Sequence, residues 1–308
     1  MTHYIIGRML QMVVIFIGVT MVIFGAVFLI PGNPVAALGG GQPLPDTVVH
    51  NLELKYHLNE PFIQQYGHYL WGLLHGDLGM SVNGRSVSDL IGQSWPVTLK
   101  LALTAWVLEV VLGIAVGIVA ALRHRRATDK AVLLVTTLGL SVPVFVIGFT
   151  AQVAFGIELG IAPIEGTESG WPASYIMPAL ALAFFSVATV GRLTRASLLE
   201  NLRSDYVRTA IAKGLPRRWV IGKHALKNSI LPVITYLGID LGFLLGGTVI
   251  IEGIFNIPGI GLLLFNSVQI KDGPVVVGIA SALVIVFLTA NLIVDILYAA
   301  LDPRIRYD

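Results

Sequence analysis

Residues 205–228 read DYVRTAIAKGLPRRWVIGKHALKN, a basic and helix-favouring stretch in an otherwise oily chain. Gly214, Leu215 and Pro216 interrupt it, and a glycine with a proline just beyond is a helix stop followed by a turn, so two short helices are expected here. Nine Lys and Arg lie between Arg192 and Lys227, a connection of 36 residues, far longer than a turn between two elements needs. The chain as a whole is 55% hydrophobic and 12% charged. Ordinary soluble domains carry about 25% charged residues, so this is the composition of a membrane protein. It holds no cysteine, which excludes a disulfide framework, a Cys-ligated zinc and a thiol nucleophile.

Outward from that stretch, six runs have the roughly 20 apolar residues that a membrane-spanning helix needs: 9–30, 97–122, 131–157, 175–191, 231–251 and 275–301. The first exceeds the apolar core of a signal peptide, about 7–15 residues, and has no small-residue cleavage site before LIPGNP, so it is expected to be a retained span. Arg8, the group Arg123, Arg125, Arg126 and Lys130, the nine basic residues just described, and Arg304 with Arg306 make 16 of the 20 Lys and Arg. Only Lys55, Arg85, Lys100 and Lys271 lie on or beside the alternate side. The positive-inside rule therefore predicts both termini in the cytoplasm, with 31–96, 158–174 and 252–274 facing outward. The outer segment 31–96 opens with the Pro/Gly-rich PGNPVAALGGGQPLPD. Beyond it, Phe62, Tyr66, Tyr69, Leu70, Leu73 and Leu74 recur at helical spacing, which predicts one or two amphipathic helices forming a small outer cap. Pro143, Pro178 and Pro232 fall within or at the start of spans, where kinks are tolerated.

Catalytic motifs fail on spacing. GLPRRWVIGKH has a Gly–Lys pair, but the spacing is wrong for a phosphate loop and His224 stands where a hydroxyl is required. GMSVNG around Ser81 is not a G-x-S-x-G elbow. His50 with His57, and His68 with His75, are seven residues apart, not the i, i+4 spacing of a helical zinc pair, and read as a polar face. Carboxyl groups inside a membrane are costly, roughly 2.5–3.5 kcal/mol, so Glu109, Asp240 and Asp295 stand out. They could serve an ion-coupled secondary transporter as a relay, or line and pack a path. Glu109, Asp240 and Asn291 are the polar groups expected nearest a translocation path. In the opening stretch, anionic lipid would account for the charges but not for the small residues Thr209, Ala210, Ala212 and Gly214. A face stripped of bulk suits close approach by a cytoplasmic partner.

RTAIAKG, residues 208–214, resembles the E-A-A-x-x-x-G loop of ABC-importer permeases, with Thr209 and Ala210 at the small positions, Gly214 at the glycine and Arg208 in place of the acid. HALKNSILPV, EGIFNIPGIG, the tail VDILYAALDPRIRY and the early HLNEPFIQQYGHYLWGLLHGDLGMS are similar to the dipeptide, oligopeptide and nickel permeases, the last to their B-type subunit. The resemblance covers essentially the whole chain. It implies an all-α integral membrane protein with six transmembrane helices and both termini cytoplasmic. The core would be a type I (MetI-like) permease domain over 97–301 with its coupling loop at 192–228, preceded by the span 1–30 and the outer segment 31–96 and followed by a tail, 302–308. It further implies a heterodimer with a second, homologous permease, two cytoplasmic ATPase subunits, an extracytoplasmic peptide-binding protein, and di- or oligopeptides as cargo in a bacterial cytoplasmic membrane. ATP and Mg would be bound by the partners, with no cofactor on this chain, no catalysis by it and no nucleic acid. The coupling helix would comprise Asp205, Tyr206, Arg208, Thr209, Ala210, Ala212, Lys213 and Gly214, ended by Leu215. The alternatives are a nickel or other small-solute importer of the same family, against which stands the lack of His inside any span, and an ion-coupled secondary transporter working alone.

Overall fold

The computed structural model describes residues 2–28, 50 and 60–301, with side chains for 6–28, 50, 60–245 and 248–294. The Pro/Gly-rich 31–46 stretch, Lys55, His57, the tail 302–308 and the side chain of Asp295 lie outside the described residues. The described residues are helical, joined by turns and one isolated bridge between Met80 and Ser86.

Helix α1 (Thr2–Phe28) is an apolar helix whose described side chains are largely exposed. The cap contributes α2 (Phe62–Leu74), and its register explains the spacing of its aromatic residues. Tyr66 shares a 2.8 Å hydrogen bond with Thr20 of α1, and Tyr69 donates to Ser281 Oγ at 2.7 Å. The cap helix is thus pinned to the first and last spans.

Helix α3 (Val87–Leu122) begins ahead of the expected 97, passing through Pro96. Helix α6 (Ala173–Asn201) likewise runs past the expected 191, through Arg192 and Arg195. Hydropathy marks where a helix enters hydrocarbon, and both helices continue beyond it as amphipathic turns, that of α3 packing Val87, Leu90, Ile91 and Trp95 into a core with Ile260 and Val275. The run 131–157 is not one straight span: α4 (Ala127–Leu140) and α5 (Val144–Glu158) meet at 104°. Pro143 lacks an amide hydrogen and biases Val142 away from helical backbone, so the chain turns there. Further on lie α7 (Asp205–Ala212) and α8 (Arg217–Ser229), then α9 (Leu231–Gly247), with a 47° bend between α8 and α9. After α9 come α10 (Val249–Ile254), α11 (Ile260–Gln269) and α12 (Gly273–Leu301). Among the described residues four helices are each long and apolar enough to cross a membrane, and the bent pairs α4–α5 and α8–α9 raise this to six if each is one span.

Helices α3 and α6 form the centre. A Cβ on Gly113 would stand 2.6 Å from Val190 Cγ1, and one on Gly117 would stand 2.5 Å from Thr194 Cβ and 2.6 Å from the Gly191 carbonyl oxygen. Such backbone approach is how helices associate in lipid, where burial alone gives no drive. On the side predicted to face outward, the EGIFNIPGIG stretch closes around Glu252 of α10. Its buried carboxylate accepts from Thr98 Oγ1 at 2.7 Å and from the Leu262 amide at 3.0 Å, while Thr98 Oγ1 accepts from the Ile260 amide at 2.8 Å. A carboxylate therefore closes the N-terminus of α11, where free amides favour negative charge. A Cβ on Gly259 would fall 2.5 Å from that carboxyl group. Asp272 does the same for α12, accepting from the Val275 amide at 3.4 Å, and ties down Ser81 and Val82 by accepting from Ser81 Oγ at 2.7 Å and the Val82 amide at 3.1 Å. Ser81 is accordingly a structural hydroxyl.

Candidate functional site

The basic stretch folds into two short helices joined at Gly214-Leu215-Pro216. Helix α7 is eight residues long and amphipathic. Val207 and Ala210 are buried in a small core with Ala121 of α3, Leu198 of α6, and Val220 and Ala225 of α8. The helix ends at Ala212, earlier than the resemblance implied. Gly214 adopts φ +76°, its amide donates to Ile211 O at 2.9 Å, and the Leu215 amide donates to Ala210 O at 3.3 Å. This paired closure requires left-handed backbone, which glycine adopts without a Cβ penalty. Lys213, Gly214 and Leu215 are therefore the terminating turn and not helix.

The small residues divide between two faces. Ala210 points into the protein's own core, which corrects its expected place on the partner-facing side. Thr209, Ala212 and Gly214 are exposed, as are the apolar side chains of Ile211, Leu215 and Trp219. Lys223 Nζ lies 5.2 Å over the Trp219 ring. Asp205 and Arg208 face solvent and approach each other at 3.6 Å across one turn, so Arg208 has an acidic neighbour within its own helix. Tyr206, also exposed, donates to Asn201 Oδ1. The result is a slim, partly apolar protrusion beyond the ends of α3 and α6.

Of the three polar groups expected along a path, the structure brings two together. Glu109 of α3 is fully buried, its carboxyl group facing Asp240 of α9, and neither oxygen accepts from any donor among the described residues. Asp240 accepts from Ser186 Oγ at 3.1 Å and from Tyr236 at 3.2 Å. Asn291 is elsewhere: with Arg8 and Gln11 it lines a mostly apolar groove of about 1030 Å³ between α1, α9 and α12. Among the described residues no three His, Asp or Glu side chains gather as metal ligands. His68 instead lies 3.0 Å from Glu60.

Sequence reasoning missed a polar cluster where α3, α4 and α6 meet. Asp129 is buried and engages Arg195 through both carboxylate oxygens. In the sequence Arg195 is one of nine basic residues in a long connection and nothing singles out Asp129, so only their tertiary meeting makes them a pair.

An all-helical bundle crossing the membrane several times, with a short exposed helix carried beyond the ends of its central pair, has the architecture of a transporter's membrane subunit. Residues 113–307 match the family described as the binding-protein-dependent transport system inner membrane component, and residues 1–102 match that of its N-terminal region. The chain belongs to this family of ABC-importer permeases and is a multi-pass protein of the bacterial cytoplasmic membrane. It is 39% identical to the glutathione transport system permease protein GsiC of Escherichia coli O6:H1, over all 308 residues of both chains. It is 38% identical, with the same full coverage, to the proteins of that name from Escherichia coli K12 and Shigella dysenteriae serotype 1.

Proposed function

We propose that this permease carries small peptides inward and is driven through α7 by cytoplasmic ATPase subunits. The observation that carries the reading is the exposed face of α7 and its terminating turn, where Thr209, Ala212 and Gly214 leave room beside Ile211 and Leu215. Unpaired apolar side chains on a slim protrusion suit insertion into a cleft. The basic residues flanking that helix favour a cytoplasmic location, which goes with six spans and both termini inside. ATP and Mg are then bound by the ATPases, and this chain takes no catalytic part. A second, homologous permease completes the pathway, and an extracytoplasmic binding protein delivers cargo.

The physical logic is population shift. Closure of the ATPases around ATP displaces α7, and the spans packed on it turn from inward-open to outward-open. The binding protein must prefer one of these states, since equal affinity for both would shift nothing. Similarity to proteins described as glutathione permeases makes glutathione the first cargo to try, ahead of dipeptides and longer peptides. The test is uptake of labelled glutathione and of a labelled dipeptide by vesicles containing the complete transporter, with and without ATP. Nucleotide-dependent accumulation of either supports the reading; uptake of neither, beside uptake of an unrelated solute, removes the peptide assignment.

A further inference from the structure

We propose that the Asp129–Arg195 ion pair is a positioning link in transport, fastening the α3–α4 turn to α6 so that movement of α7 reaches both together. This rests on the reading of α7 as the ATPase-docking helix. Arg195 Nε donates to Asp129 Oδ1 at 2.5 Å and Nη2 to Oδ2 at 2.9 Å, a forked contact that fixes both distance and orientation. The Arg125 amide donates to Asp129 Oδ2 at 2.8 Å and helps hold Arg125 at φ +64°, the left-handed turn that joins α3 to α4. His124 Nδ1 lies 3.3 Å from the same oxygen.

Three residues further along α6, Leu198 shares the core on which Val207 and Ala210 of α7 rest, and Ala121 at the end of α3 completes it. Helix α7 thus bears on the same two helix ends that the ion pair ties. A buried ion pair adds little stability over well-packed apolar groups, but it resists sliding where an apolar contact does not. That is the property needed where a small displacement must move two elements as one.

The complete transporter in vesicles provides the test. Asp129→Asn keeps an oxygen for the Arg125 amide and so preserves the turn, while weakening the fork. Assembly and ATP hydrolysis should stay near the parent level, while ATP consumed per solute imported rises about fivefold or more, the scale of a typical coupling energy. Arg195→Lys, keeping the charge without the fork, should fall between. Because the chain has no cysteine, labels at Lys130→Cys on α4 and Glu200→Cys on α6, both exposed, report the spacing across the link. It should be constant between nucleotide-free and ATP-trapped states in the parent, and variable once Asp129→Asn is added. An unchanged ratio, or uptake and hydrolysis falling together with the amount of assembled complex, overturns the proposal. So does a parent spacing that changes between the two states, a result that stands even if Asp129→Asn fails to assemble. If instead Ala212→Trp on α7 leaves uptake intact, the docking reading is what fails.

Discussion

Two buried carboxyl groups with opposite surroundings show how much a residue's partners decide. Glu252 is satisfied, receiving the Thr98 hydroxyl and the Leu262 amide. Replacing it with alanine strands both donors, at about 1–3 kcal/mol each. Glu252→Ala should therefore lower the unfolding temperature of the purified complex markedly. Glu252→Gln, which still accepts one bond, should lower it less; equal midpoints for the two would mean that the carboxylate is not what holds this loop. Glu109 has no hydroxyl or amide donor among the described residues and faces another carboxyl group. If it only packs or lines the path, Glu109→Gln should change uptake modestly with assembly intact, whereas complete loss of uptake in an assembled complex would make it a functional group.

Among the elements, α7 was the most legible in the sequence, because Gly214 and Pro216 break a charged helical pattern and chain chemistry alone requires a stop there. It ends at Ala212, earlier than the resemblance implies, because the left-handed Gly214 closes the helix from beyond its last residue. The inward turn of Ala210 could not be read without knowing which face meets α3 and α6. The apolar runs mark candidate spans, but not the 104° bend at Pro143 or the extensions of α3 and α6 beyond the runs. Hydropathy reports the solvent around a helix and is blind to its axis. The glycines of α3 looked ordinary in an apolar run, yet Gly117 sits where any Cβ meets the Gly191 backbone at 2.6 Å. Gly117→Leu should prevent α3 from packing on α6 and greatly reduce the folded yield from membranes, whereas Gly222→Ala on α8, which meets nothing within 4 Å, should be harmless. Comparable yields for the two would contradict the close helix contact.

For the whole molecule, the order of connections matters more than any one site. The cap helix α2 binds α1 to α12 through Tyr66 and Tyr69, α3 and α6 pack through glycines, and α7 rests on the ends of that pair. Glu109 and Asp240 were each legible as costly residues within an apolar run, but their meeting, like that of Asp129 and Arg195, belongs to the assembled bundle. The central claim is that force enters through α7 from ATP-driven partners. It is tested most directly by uptake into vesicles holding the complete transporter, comparing the parent with Ala212→Trp, which adds bulk to an exposed helical position without backbone strain. Uptake should require ATP and the ATPase subunits, and the variant should lose it while still folding; normal uptake by Ala212→Trp, or uptake driven by a proton gradient with the ATPases absent, would contradict the account.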